Sequence, residues 1–76
     1  MNKEDFYVGQ KIKLPQDYYD YHIECHGLEL IEYAEVTSLE SLHKNGIIHF
    51  KIDLKGVGRI HSGMHYTEIQ KYEHHN

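Results

Sequence analysis

Seventy-six residues suffice for one domain and leave nothing for a second core. A net charge of −4 and a pI near 6.0 set the chain apart from the strongly basic composition of nucleic-acid-binding domains. With 39% hydrophobic residues, no Trp, two Phe and seven Tyr, the composition supports one modest core, too apolar for disorder and too small to wall a substrate cleft on all sides.

The chain opens on Met1 to Gln10 without the apolar run of a signal peptide, and no later stretch approaches the roughly 20 apolar residues that cross a bilayer. The expected setting is therefore the cytoplasm, with no membrane partner. Phe6 to Leu14 reads as a first strand, alternating from Val8 through Ile12 and Leu14, with Gly9 as a bulge and Pro15 at its end.

Residues 17–26 admit two readings. Asp17 as N-cap, Asp20 at N3 and Gly27 as the C-terminal glycine describe a short helix; the alternative is a long acidic, Tyr-rich loop. Cys25 is the only cysteine, which excludes an internal disulfide and fits a reducing compartment. A lone cysteine of this kind is expected to be buried.

Asn45-Gly46 is the preferred pair for a two-residue type I′ hairpin turn. It predicts antiparallel strands over 34–43 and 47–54, with Phe50 and Ile52 buried, Glu40 opposite Lys51 and Leu39 opposite Ile52. Gly56-Val57-Gly58 marks a further turn. A strand starts near Arg59-Ile60 and is interrupted by Gly63, Tyr66 to Ile69 forms a helical turn, and Gln70 to Glu73 is a last short strand. His74, His75 and Asn76 read as a frayed tail, leaving 6–73 as the ordered core of the domain.

This order resembles the small SH3-like β-barrels: a strand entered through Phe-x-Val-Gly-Gln-Lys, a long loop, a hairpin of Ala-Glu-Val-Thr and Ile-Ile-His-Phe-Lys-Ile, then a glycine turn, a strand, a one-turn helix and a final strand. The resemblance implies a mainly β fold of about five antiparallel strands; the alternative is α+β. Short, acidic, Tyr-rich, cysteine-poor chains also resemble the accessory proteins with which bacteriophages and mobile elements inhibit host proteins, some by mimicking the charge of DNA. For such a protein the setting is the host cytoplasm.

Eight histidines raise the question of metal. His22-x-x-Cys25-His26 and His61-x-x-x-His65 offer zinc-ligand types, and on a helix His22 and His26 share one face. In an extended strand, roughly 13 Å separates His61 from His65, and the spacing between the pairs matches no standard finger or ribbon. Surface histidines are the simpler reading, so no metal is assigned, with His22, Cys25 and His26 as the candidate set. Cys25 between two histidines has no oxyanion-forming glycine motif after it, and Gly56-Val57-Gly58 lacks the context of a dinucleotide loop. Neither catalysis nor a cofactor is expected.

Charge is polarised along the chain. Seven carboxylates (Asp17, Asp20, Glu24, Glu29, Glu32, Glu35, Glu40) lie between Leu14 and Glu40 without one Lys or Arg, whereas 41–76 holds three acids and five bases. Two binding surfaces follow. Asp17, Tyr18, Tyr19, Asp20, Tyr21 and Glu24 would attract a basic protein partner, with tyrosines as anchors; two or three of the seven tyrosines are expected in the core. The second surface, for nucleic acid, is Lys44, Lys51, Lys55 and Arg59, with His49 and His61 nearby and Tyr66 and Tyr72 available for stacking. So small a domain also makes a homodimer a reasonable expectation.

Overall fold

Ile48, Phe50 and Ile52 alternate with His49, Lys51 and Asp53, and that period of two fixes the central strand and its buried face. In the computed structural model, which describes residues 1–73, the strands are β1 (Lys11–Lys13), β2 (Ala34–Ser38), β3 (Ile47–Asp53), β4 (Arg59–His65) and β5 (Gln70–Lys71). Helices α1 (Gln16–His26) and α2 (Leu42–Asn45) interrupt them. The five strands form one antiparallel sheet in the order β4-β3-β2-β1-β5. β4 and β5 end that order without pairing to each other, so the domain is an open α+β arrangement. The tail assigned to His74, His75 and Asn76 lies outside the described residues.

One face of the sheet carries the core: Ile12, Leu14, Ala34, Val36, Ile48, Phe50 and Ile52, joined by Phe6, Leu30, Leu42 and Ile69 from the connections. Burial of Phe50 and Ile52 agrees with the alternation, but the connection between β2 and β3 does not follow the Asn45-Gly46 hairpin. Leu39 and Leu42, three apart, would point to opposite faces of a strand. A helical turn brings both to the core, burying Leu42 and packing Leu39 against it. Leu42 N donates to Leu39 O (3.1 Å) and Asn45 N to Ser41 O (2.9 Å). Gly46, at φ 72 and ψ 17, ends the turn as a left-handed cap. Strand β2 therefore stops at Ser38, and the register slips by five residues: Glu35, not Glu40, faces Lys51, and Val36 faces Phe50. An irregularity between Val36 and Ser38 takes up the remaining offset.

The first strand is shorter than its alternation implies. Val8 is 61% exposed, and Gly9, at φ 90, turns the chain so that its N–H meets Val36 O at 2.8 Å. Buried Gln10 secures that turn, accepting from Tyr7 N (3.2 Å) and donating to Asp5 O (3.3 Å). Gly63 does not interrupt β4; it pairs with His49 inside an unbroken seven-residue ladder. The expected helical turn appears as a 3-10 turn over Tyr66–Glu68, and the last strand spans two residues rather than four.

Candidate functional site

Helix α1 fills the connection between β1 and β2. It starts after Pro15, so Asp17 sits within its first turn instead of capping it, and Gly27, at φ 65, ends it. There Gly27 N and Leu28 N donate to the carbonyls of Ile23 and His22. None of its residues is fully buried. What holds the helix down is a pair of half-buried tyrosines. The Tyr18 ring meets Phe50 edge-on at 5.9 Å, and the Tyr19 hydroxyl donates to Glu32 O (2.9 Å) while accepting from Leu14 N (3.3 Å). With Tyr66, they are the three tyrosines packed against the core.

Of the six residues read as a binding surface, the structure thus turns Tyr18 and Tyr19 inward. It leaves Asp17, Asp20, Tyr21 and Glu24 exposed, at the three- and four-residue spacings that share one helical face. Tyr21 is 53% exposed and Ile23, next to that face, 49%. Ile23, which sequence patterning did not single out, borders an open groove of about 350 Å³ shared with Tyr19, Leu30, Lys13 and Lys55. Its apolar character inside an otherwise polar helix was the available signal.

The basic hairpin is largely neutralised. Lys51 pairs with Glu35 (3.1 Å), Lys55 with Glu29 (2.9 Å) and Arg59 with Asp53 (2.7 Å). Asp53 also holds the Arg59 guanidinium above its usual pKa, first by hydrogen bonding and then by charge. Lys44, exposed at the end of α2, forms no ion pair among the described residues. Tyr72 donates to Glu32 at 2.7 Å, which raises its pKa.

Four of the described histidines each meet a different partner. His22 Nδ1 lies 2.9 Å from Tyr18 O and His26 Nε2 3.3 Å from the Tyr21 hydroxyl, the two rings being 6.0 Å apart. His49 meets Ser41 (3.2 Å) and His65 meets Thr67 (2.7 Å). Cys25 is exposed, against the expectation of burial: at its helical position it faces solvent while residues 18, 19 and 22 face the body. Among the described residues, no group of three or more His, Cys, Asp or Glu side chains could hold a metal ion.

Burial pushes the Tyr18 and Tyr19 hydroxyls above the ordinary value of 10.0; hydrogen bonds from Ser62 and Leu14 N, respectively, work the other way. A phenol with a raised folded pKa contributes fully below pH 10 and loses that contribution as pH climbs through the higher folded value. Urea midpoints should therefore decline above about pH 10, and more shallowly in a Tyr18→Phe/Tyr19→Phe variant. Equal slopes in the two proteins would show that neither hydroxyl is desolvated.

No protein-family model, no curated protein and no solved structure matches the chain.

Proposed function

We propose that this domain is a non-catalytic protein-binding module whose working surface is the outer face of α1: Asp17, Asp20, Tyr21 and Glu24, with Ile23 at its margin. The observation that carries this reading is the division of labour among the tyrosines. Tyr18 and Tyr19 hold the helix to the body, leaving Tyr21 exposed among carboxylates on a helix that carries no Lys or Arg. Helix stability accounts for only part of that pattern, through Gln16 donating to Asp20 (3.1 Å) and Tyr21 meeting His26 (3.3 Å). Asp17 benefits from the positive end of the macrodipole, but Glu24 lies in the last turn, where a carboxylate is disfavoured by a few tenths of a kcal/mol. A large amphipathic ring within a negative field is suited to a partner with a basic surface, charge steering the encounter and the ring anchoring the complex.

The likeness to acidic inhibitors of bacteriophages and mobile elements supports the same reading. It makes the partner a host cytoplasmic protein and the stripe a mimic of nucleic-acid charge. Lys44, Lys51, Lys55 and Arg59 form the competing surface for nucleic acid, but three of the four already have carboxylate partners.

The test is affinity capture with the tagged chain, followed by kinetics on the recovered partner. Asp17→Lys/Asp20→Lys should slow association about tenfold or more and weaken its salt dependence. Tyr21→Ala should act on dissociation instead. Recovery of nucleic acid alone, with binding abolished by Lys44→Glu/Arg59→Glu and indifferent to α1, would replace this reading with the nucleic-acid one.

A further inference from the structure

Two edges bound the sheet, and they differ in how they are protected. β5 is two residues long and carries Lys71, the kind of short, charged edge that discourages pairing with another chain. β4 runs seven residues without proline, lysine or a shift in register. Arg59, its one formal charge, is already bound to Asp53.

The backbone of that edge can be followed residue by residue. Leu54 N donates to Gly58 O and Tyr66 N to Gly46 O, so the hydrogen-bonded pairs between β3 and β4 fall at even positions: Ile48 with Met64, Phe50 with Ser62, Ile52 with Ile60. By alternation, the N–H and C=O groups of Arg59, His61, Gly63 and His65 point away from β3. Among the described residues, no side-chain hydrogen bond reaches these outward groups, and of the eight only the His65 carbonyl has a further role, opening the 3-10 turn Tyr66–Glu68 with a second lone pair still free.

Those four residues are symmetric about Ser62. We propose that the β4 edge is a homodimer interface, in which two copies pair antiparallel about a two-fold axis at Ser62 and join their sheets into one. In this register Arg59 faces His65 of the other copy and His61 faces Gly63, and each facing pair exchanges two hydrogen bonds, which satisfies every outward group on both strands. On the core side, the partly buried Ile60 and Met64 face each other across the axis and cover their remaining apolar surface. Ser62 meets its own copy at the centre and Gly63 lies beside it, so no large side chain obstructs the approach. Moving the axis to residue 61 or 63 leaves outward groups at one end unpaired, so the strand specifies its own register. An interface of this kind is isologous and closes at two copies. It stands independently of the partner proposed for α1.

The experiment is sedimentation equilibrium of the full chain from about 5 µM to about 1 mM, a range that brackets moderate-affinity association. The mass should rise from 9.0 kDa toward twice that value. His61→Pro removes an outward N–H that β3 does not use, a change edge strands tolerate. It should weaken dimerisation at least about tenfold, while His61→Ala, which keeps the N–H, should stay within about threefold of the parent. In parallel, the amides of Arg59, His61, Gly63 and His65 should exchange more slowly as concentration rises, a readout that stands even if the proline variant does not fold. A mass of 9.0 kDa throughout, as expected if the edge instead awaits a foreign strand, overturns the proposal. So does a dimer that His61→Pro leaves intact, or exchange at the four amides that ignores concentration.

Discussion

Gly46→Val should destabilise the domain by about 3 kcal/mol, read as a fall in the urea midpoint. Two effects add. Gly46 sits at φ 72, where a non-glycine residue costs about 1–3 kcal/mol and a β-branched one lies at the upper end. A Cβ there would also stand 2.6 Å from Nε2 of His65, a ring held by Thr67 at 2.7 Å and tilted against Tyr66 at 4.8 Å. The backbone cannot move aside freely, because Gly46 N donates to Leu42 O and Gly46 O accepts from Tyr66 N. Two comparisons separate the causes. Gly46→Asn meets the same ring but tolerates the left-handed conformation, so it should cost roughly 1 kcal/mol less than valine. His65→Ala removes the obstruction and should recover part of the valine penalty. A valine cost below about 1 kcal/mol would mean that Gly46 is not held left-handed.

The same glycine shows where the sequence was legible and where it misled. Asn45-Gly46 correctly signals a left-handed residue between two antiparallel strands, and the alternation after it locates β3 and its buried face. Neither signal counts the residues between the strands. A type I′ turn and a one-turn helix both end in Asn-Gly, and what separates them here is the spacing of Leu39 and Leu42, which only a helical turn can bring to one core. The cross-strand pairing of Glu40 with Lys51 was right in kind and wrong in partner for that reason: Lys51 is met by Glu35, five residues earlier. Val8 misled in a similar way, since period-two alternation does not reveal that Gly9 turns the chain before β1 begins.

The candidate surface was legible as a composition and not as a face. A run of Tyr and Asp identifies the segment, but whether a tyrosine anchors or projects depends on helical phase, and that depends on a helix start set by Pro15 instead of Asp17. Once α1 forms, positions 18, 19 and 22 turn to the body and positions 17, 20, 21 and 24 turn away. The basic hairpin was legible as charge alone. The Asp53–Arg59 pair is local to the hairpin, but the neutralisation of Lys51 and Lys55 rests on contacts from Glu35 and Glu29, far away in sequence, which no local pattern exposes.

Tyr19→Ala should cost about 2–3 kcal/mol and release α1, the largest effect expected from any one residue of the helix. Truncation removes a half-buried ring worth roughly 1–2 kcal/mol. It also strips partners from Leu14 N and Glu32 O, which the hydroxyl joins across 3.3 and 2.9 Å, at about 1 kcal/mol for the part-buried Leu14 N–H, while water can take over at the exposed Glu32 carbonyl. Tyr19→Phe keeps the ring and should cost only about 1–2 kcal/mol. The effect should be local in form: amides of Gln16 to His26 should lose exchange protection while those of β2, β3 and β4 keep theirs, because Tyr18 alone remains to hold the helix over Phe50. Tyr21→Ala is the necessary contrast. Its ring is 53% exposed and meets His22 and His26 on the helix itself, not the core, so stability should change by less than about 0.5 kcal/mol, with the main consequence appearing in partner binding. If Tyr21→Ala instead unfolds α1 and Tyr19→Ala is silent, the tyrosine assignments are reversed, and the outer face of the helix is a structural surface with no role in recognition.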